Sequence, residues 1–217
     1  MALKTGSISA ARYEAGPGRQ VITAAPDTSW RDAIPVLSAE GLTLREITQD
    51  DAAPLLSLLG TDDVSRFMSP LPPTLDSFGR FVKWIHEQRT QGLSVCYVVV
   101  PEGIGTPVGL FQMRSLEAAF VTGEWGFAIG SPFWGSGLFA RSAKLVLDFA
   151  FGTVGVRRLE ARACAENRRG NGALRKLGAT PEGVLRRSFL WHGKYHDQVL
   201  WSILDCDWAG TASEAAH

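Results

Sequence analysis

The order in which strand-period and helix-period segments follow one another limits what this chain can fold into. Leu42 and Leu44 alternate with Thr43 and Arg45 as a short strand, and Thr48 then precedes an Asp-rich turn leading into Ala52, Leu55, Leu56 and Leu59, the pattern of a capped helix. After the break at Pro70, Pro72 and Pro73, Phe78, Phe81, Val82 and Ile85 fall at helical spacing until Gly92. Three β-rich runs follow, Val95 to Val100, Val108 to Met113 and Phe120 to Ile129, separated by Gly and Pro turns. A helix is predicted from Ala140 to Phe151, with Arg141, Lys144 and Asp148 on its wet side. Then come an alternating strand from Leu159 to Ala165, a short helix from Asn171 to Leu177 stopped by Gly178, and strands near Val184 to Trp191 and Gln198 to Leu204 around a turn at His192-Gly193. A three-strand meander combined with helical crossovers predicts an α/β fold with a mixed sheet covered by helices.

At 217 residues the chain is sized for one domain. Residues 1–40, rich in Ala, Gly, Pro, Ser and Thr without clear period, are predicted to be an irregular extension outside the core, with the domain at 41–208 and a flexible tail at 209–217. Lys plus Arg balances Asp plus Glu at 22 each, so composition points to neither nucleic acid nor a membrane as partner. The longest apolar run, Val95 to Val100, is far below the roughly 20 residues of a membrane span, and no secretory signal is visible, which predicts a cytoplasmic protein. Cys96, Cys164 and Cys206 fit neither a disulfide framework nor a zinc pattern, so buried free thiols and no metal are expected.

Trp134-Gly135-Ser136-Gly137-Leu138-Phe139 lies between a predicted strand and a predicted helix. Glycines there let backbone amides approach a ligand, and amides at the positive end of a helix dipole suit phosphate oxygens. A tight turn would explain Gly-x-Gly equally well. A dinucleotide fingerprint would need glycine at Ala140, and no Lys-Ser/Thr pair follows as in a nucleotide triphosphatase loop. Between Arg157 and Lys194 there are ten Lys or Arg against three Asp or Glu, a balance of 10 − 3 = +7 in a chain that is neutral overall.

Three strings, GFAIGSPFWGSGLFARSAKLVLDFAF, AENRRGNGALRKLGA and GKYHDQVLWSIL, resemble the GNAT superfamily of acetyltransferases, and within it the RimJ/RimL-type branch, over roughly Leu42 to Trp208. The resemblance implies a mostly antiparallel twisted sheet with helices on both faces and a splayed parallel strand pair. It implies an enzyme that moves an acetyl group from acetyl-CoA to a primary amine, a protein amino terminus or a small amine, by direct attack in a ternary complex. The pyrophosphate of acetyl-CoA would rest on the amides of Gly135, Ser136, Gly137, Leu138, Phe139 and Ala140 beside Trp134. Its pantetheine arm would pair with Phe127, Ala128 and Ile129, with Asn167, Asn171 and Leu174 completing the slot. A homodimer is compatible with such a chain.

Attack on a thioester needs a neutral amine, hence a base, and the leaving thiolate gains from a donor. Where many members carry a Tyr acid this sequence has Leu174. Where ribosomal-type members carry Ser and Glu it has Gly170 and Phe189, which leaves a catalytically impaired CoA-binding sensor as the alternative reading. Glu124, on the strand leading into the loop, is the expected base. Tyr195, with His196 and Asp197, follows as a further acid or base candidate. Phe67, Trp125, Trp191 and Trp201 are expected near the acceptor pocket, although large aromatics most often fill cores.

Overall fold

The computed structural model describes residues 27–69 and 71–208. Its centre is an eight-stranded sheet in the order β1-β2-β3-β4-β5-β6-β8-β7, formed by β1 (Leu37–Ala39), β2 (Leu42–Glu46), β3 (Ser94–Pro101), β4 (Gly109–Ser115), β5 (Thr122–Ile129), β6 (Arg158–Cys164), β7 (Thr180–Trp191) and β8 (Lys194–Leu204). Every neighbouring pair is antiparallel except β5 with β6. That exception follows from connectivity, because the chain leaves β5 through helix α4 (Leu138–Phe149) and must return in the same direction.

The period of two sorts the strands onto two faces. Cys96, Val98, Leu110 and Ala128 share one face, where they pack against Ile47, Leu55, Leu59, Phe78, Val82 and Ile85 from the segment carrying α1 (Ala52–Leu59) and α3 (Leu75–Thr90). We call this face A; the short helix α2 (Asp62–Ser65) lies between α1 and α3 in sequence. Leu44, Tyr97, Val99, Phe111, Trp125, Ile129, Leu159 and Trp201 form the other face, B, packed against Val146, Leu147 and Phe149 of α4 and Leu174 of α5 (Arg168–Lys176). Helices therefore cover both faces, as the sequence patterning predicts.

Residues 1–26 of the expected extension lie outside the described residues, as does the tail at 209–217. Residues 27–40 differ from the expectation of a segment outside the core: Trp30 (2% exposed) and Ile34 (8%) are buried on face B, and β1 pairs with β2. The Arg31 carbonyl accepts from Arg89 Nη1, and the Pro35 carbonyl accepts from Tyr97 Oη at 3.1 Å. This segment is docked by single large side chains and carbonyl contacts, which leave no periodic trace in sequence. One cysteine also departs from expectation: Cys96 and Cys164 are buried, whereas Cys206, beyond the end of β8, is exposed.

The β7–β8 hairpin turns through His192 (φ 46°) and Gly193 (φ 74°), two left-handed residues, as a tight hairpin between right-twisted strands requires. A bulge between Leu185 and Phe189 places Arg187 at φ 53°, held by its amide donating to Asp197 Oδ1 at 2.7 Å.

Candidate active site

β5 and β6 are paired only at Thr122–Arg158, Gly123–Leu159 and Glu124–Glu160. Beyond that vertex each strand stays bonded to its outer neighbour, β4 or β8, while the edges of 125–129 and 161–164 face one another without a ladder. Backbone donors and acceptors along such edges require partners. A guest with amides of its own, lying along the slot, supplies them. Trp125 Nε1, buried beside the vertex, also has no hydrogen-bond partner among the described residues.

At the open end of the slot, Gly135 (φ 79°) and Gly137 (φ 76°) both take left-handed conformations, and no atom lies within 4 Å of where their Cβ atoms would stand. Gly137 is the residue before α4, whose first-turn amides point out of the helix without intrahelical acceptors. Ser136 Oγ donates to the Phe133 carbonyl at 2.7 Å and accepts from the Leu138 amide at 3.3 Å, which leaves the amides of Phe139 and Ala140 to a ligand. Exposed glycines, open space and the positive end of a twelve-residue helix fit a pyrophosphate.

The other expected slot residues fall around this frame with distinct duties. Phe127 and Phe139 meet at 4.5 Å between ring centroids and join Phe111 and Trp125 in an aromatic wall. Trp134 Nε1 donates to the Ile129 carbonyl at 2.7 Å, and the Arg169 guanidinium lies 3.8 Å from the Trp134 ring centroid, tying α5 to the loop across the open end. Leu138, Ala128 and Leu174 are buried in the flanking cores. Asn167 caps α5, its Oδ1 accepting from the Gly170 amide at 2.8 Å. A Cβ at Gly170 would stand 2.6 Å from Asn167 Nδ2, so a larger residue there must displace the capping side chain. Asn171 is engaged by the protein itself: Nδ2 donates to the carbonyls of Cys164 (2.9 Å) and Asn167 (2.8 Å), and Oδ1 accepts from Trp201 Nε1 at 2.8 Å. Both its donors are thereby used in setting the position of α5, while Oδ1 keeps a second lone pair.

Face A near the vertex carries a ladder of ion pairs. Arg114 Nε donates to Glu124 Oε2 at 2.7 Å, and Arg162 Nη1 donates to Glu124 Oε1 at 2.7 Å. Arg162 also lies 3.7 Å from Glu160, which accepts from Arg158 Nε at 2.9 Å; Arg158 in turn forks onto Glu182. Hydrogen bonding to Arg158, and next to Ser202, holds the Glu182 carboxyl down at about 2. Both oxygens of Glu124, the expected base, are thus occupied by guanidinium donors, and an amine must displace or share with an arginine to reach it. Tyr195 lies 52% exposed under the Arg187 guanidinium, on the opposite face of β8 from His196.

Of the four aromatics expected at the acceptor pocket, Trp125 and Trp201 are buried on face B as core. Phe67 and Trp191 are brought together through Arg66, whose guanidinium lies 5.1 Å from the Phe67 ring and 5.9 Å from the Trp191 ring. The segment after α2 therefore meets the β7–β8 hairpin. His196 lies beside this junction, with Nδ1 3.2 Å from Glu166 Oε1.

The acetyltransferase (GNAT) domain model matches residues 41–180. The chain belongs to the GNAT acetyltransferase family. Its class of reaction is the acetylation of amines, and its acyl donor is acetyl-CoA. Spermidine N(1)-acetyltransferase of Escherichia coli is 26% identical over 168 residues, covering 76% of this chain and 87% of the relative. Among solved structures, the ribosomal-protein-S5-alanine acetyltransferase of Vibrio fischeri matches with a TM-score of 0.73 at 19% identity, covering 80% of this chain and 98% of that one. The RimJ of Mycobacterium smegmatis, solved in complex with CoA-disulfide, matches at 0.69 and 20% identity, covering 82% and 93%. The mixed sheet with one parallel pair is the GNAT fold, and RimJ/RimL-type enzymes are among its structural neighbours. Among the described residues, no helix is long and apolar enough to cross a membrane.

Proposed function

We propose that this acetyltransferase holds acetyl-CoA with its pyrophosphate on the amides between Gly135 and Ala140 and its pantetheine arm along 127–129, and presents the thioester to a primary amine on face A. The observation that carries this reading is the split between β5 and β6, which lines a slot with unpaired backbone beside a phosphate-ready helix end. Phe127 and Phe139 exclude water from one wall, Leu174 and Asn167 bound the other, and Asn171 fixes their spacing. Bound there, acetyl-CoA supplies an activated acyl carbon. The amine approaches from the junction of Phe67, Arg66 and Trp191, where rings suit the carbon skeleton of an acceptor and Glu166, 55% exposed at its side chain, suits its positive charge.

The acceptor class is a primary amine, either a protein amino terminus or a small amine such as a polyamine. Acetyl transfer to peptides beginning with Ala, Ser or Thr and to spermidine, read by mass spectrometry, separates the two. Calorimetry with acetyl-CoA tests the slot: a folded Gly137→Trp variant is expected to lose binding, because its side chain fills the space over the loop. Wild-type affinity in that variant would refute the phosphate assignment.

A further inference from the structure

His196 and Glu166 form a dyad that the cofactor slot does not use. β8 puts His196 on face A, the same side as Gln198 and its cross-strand partner Cys164. Its Nδ1 lies 3.2 Å from Glu166 Oε1, while Nε2 is buried with no hydrogen-bond partner among the described residues. The turn bearing Glu166 is fixed on both sides, by the Ala165 amide donating to the Asp197 carbonyl at 2.9 Å and the Asn167 amide donating to the Cys164 carbonyl at 2.9 Å. Phe189 and Trp191 stand 6.5 Å and 6.3 Å from the imidazole, centroid to centroid. The ring is therefore held in place, with a carboxylate to accept its Nδ1 proton and its Nε2 lone pair unspent. A buried acceptor in that state is unfavourable unless something arrives to use it.

We propose that His196 Nε2 is the proton acceptor for the attacking amine, with Glu166 as its positioning residue; this rests on the acetyltransferase reading above. The amine nitrogen bonds to the thioester carbonyl carbon, the carbon–sulfur bond breaks with its electron pair leaving on the CoA sulfur, and the proton released by the nitrogen passes to Nε2. Glu166 holds the Nδ1–H tautomer and stabilises the imidazolium formed. From the same turn and strand, the titratable groups facing the ring are Glu166 and the Cys164 thiol, whose ligand atoms lie with that of His196 inside a 4.8 Å cluster. From β7 it meets only the rings of Phe189 and Trp191, with Arg66 stacked beyond Trp191.

The test is the pH dependence of acetyl transfer by the full chain, with acetyl-CoA affinity measured separately by calorimetry. His196→Ala is expected to lose about 100- to 10,000-fold in turnover, to lose a limb of the pH–rate profile that wild type shows, and to regain rate when imidazole is added, with donor affinity unchanged. Glu166→Gln, at a position whose side chain is 55% exposed, is expected to lower turnover by a smaller factor than His196→Ala and to displace that limb. An unaltered profile in His196→Ala overturns the proposal. So does a loss that imidazole fails to recover and donor affinity follows, or wild-type turnover abolished by a chelator, which would make Cys164, Glu166 and His196 metal ligands. Absence of transfer by wild type to every amine tested would instead refute the acetyltransferase reading, and this proposal with it.

Discussion

Replacing Trp30 with alanine probes whether residues 27–40 belong to the core. The side chain is 2% exposed, its ring centroid lies 6.0 Å from that of Phe120, and its neighbour Arg31 receives the Arg89 guanidinium, which also donates from Nε to Glu46 at 2.6 Å. Removing a buried Trp side chain costs about 3–5 kcal/mol. The vacated volume lies between sheet and segment, where the Arg89 and Tyr97 contacts to the carbonyls of Arg31 and Pro35 resist collapse, which favours the upper half of that range. At about 2–4 °C per kcal/mol for a domain of this size, Tm is expected to fall by roughly 8–20 °C. Val36→Ala on the same segment, at a residue 63% exposed, is expected to stay within about 0.5 kcal/mol. Urea unfolding of both variants provides the measurement. A loss below about 1 kcal/mol for Trp30→Ala would show that the segment is peripheral to folding.

Two further outcomes follow from titratable groups. Glu182 has its carboxyl at about 2 in the folded chain against an ordinary value of 4.5, so its pairing with Arg158 stabilises fully above the ordinary value and is lost as pH falls from 4.5 towards about 2. Glu182→Gln is expected to flatten stability against pH in that window, measured by urea midpoints; an unchanged acid limb would refute the pairing. Burial, with Glu46 and Asp51 adding to it, pushes the Cys96 thiol up to about 12, and Cys164 is 2% exposed, so a thiol reagent is expected to label only Cys206 rapidly in the native protein; a second fast thiol would contradict this burial.

The sheet and its helices were legible because their signals are local and repetitive. Alternation marks β2 and β6, β-rich runs between Gly and Pro turns mark the meander, and helical spacing of Phe78, Phe81, Val82 and Ile85 marks α3. The short β1 and α2 offered too few residues for any period to show. The loop between β5 and α4 was legible because Gly135 and Gly137 must take positive φ there, a demand that only certain residues meet. Acid–base roles were less legible. Glu124 looked free in sequence, since nothing local reveals that Arg114, ten residues earlier, and Arg162, thirty-eight later, close on it from neighbouring strands. His196 meets Glu166 across thirty residues, and only the β6–β8 register brings them together. Tyr195 and His196 are adjacent in sequence yet face opposite sides of the sheet, a distinction that strand period supplies once the register is known.

The alternating charges on face A also restrict how this chain can change over generations. Arg114, Glu124, Arg162, Glu160, Arg158 and Glu182 run across four strands, each interior member shared by neighbours of opposite sign. Neutralising one interior member leaves an excess charge on the next strand, while exchanging or neutralising a neighbouring pair keeps the row balanced. Accepted substitutions at these positions are therefore expected to come in couples across the β4–β5 and β5–β6 seams and from β6 over β8 to β7, so that the lineage of this protein carries a record of its sheet order in the joint variation of six residues distant in sequence.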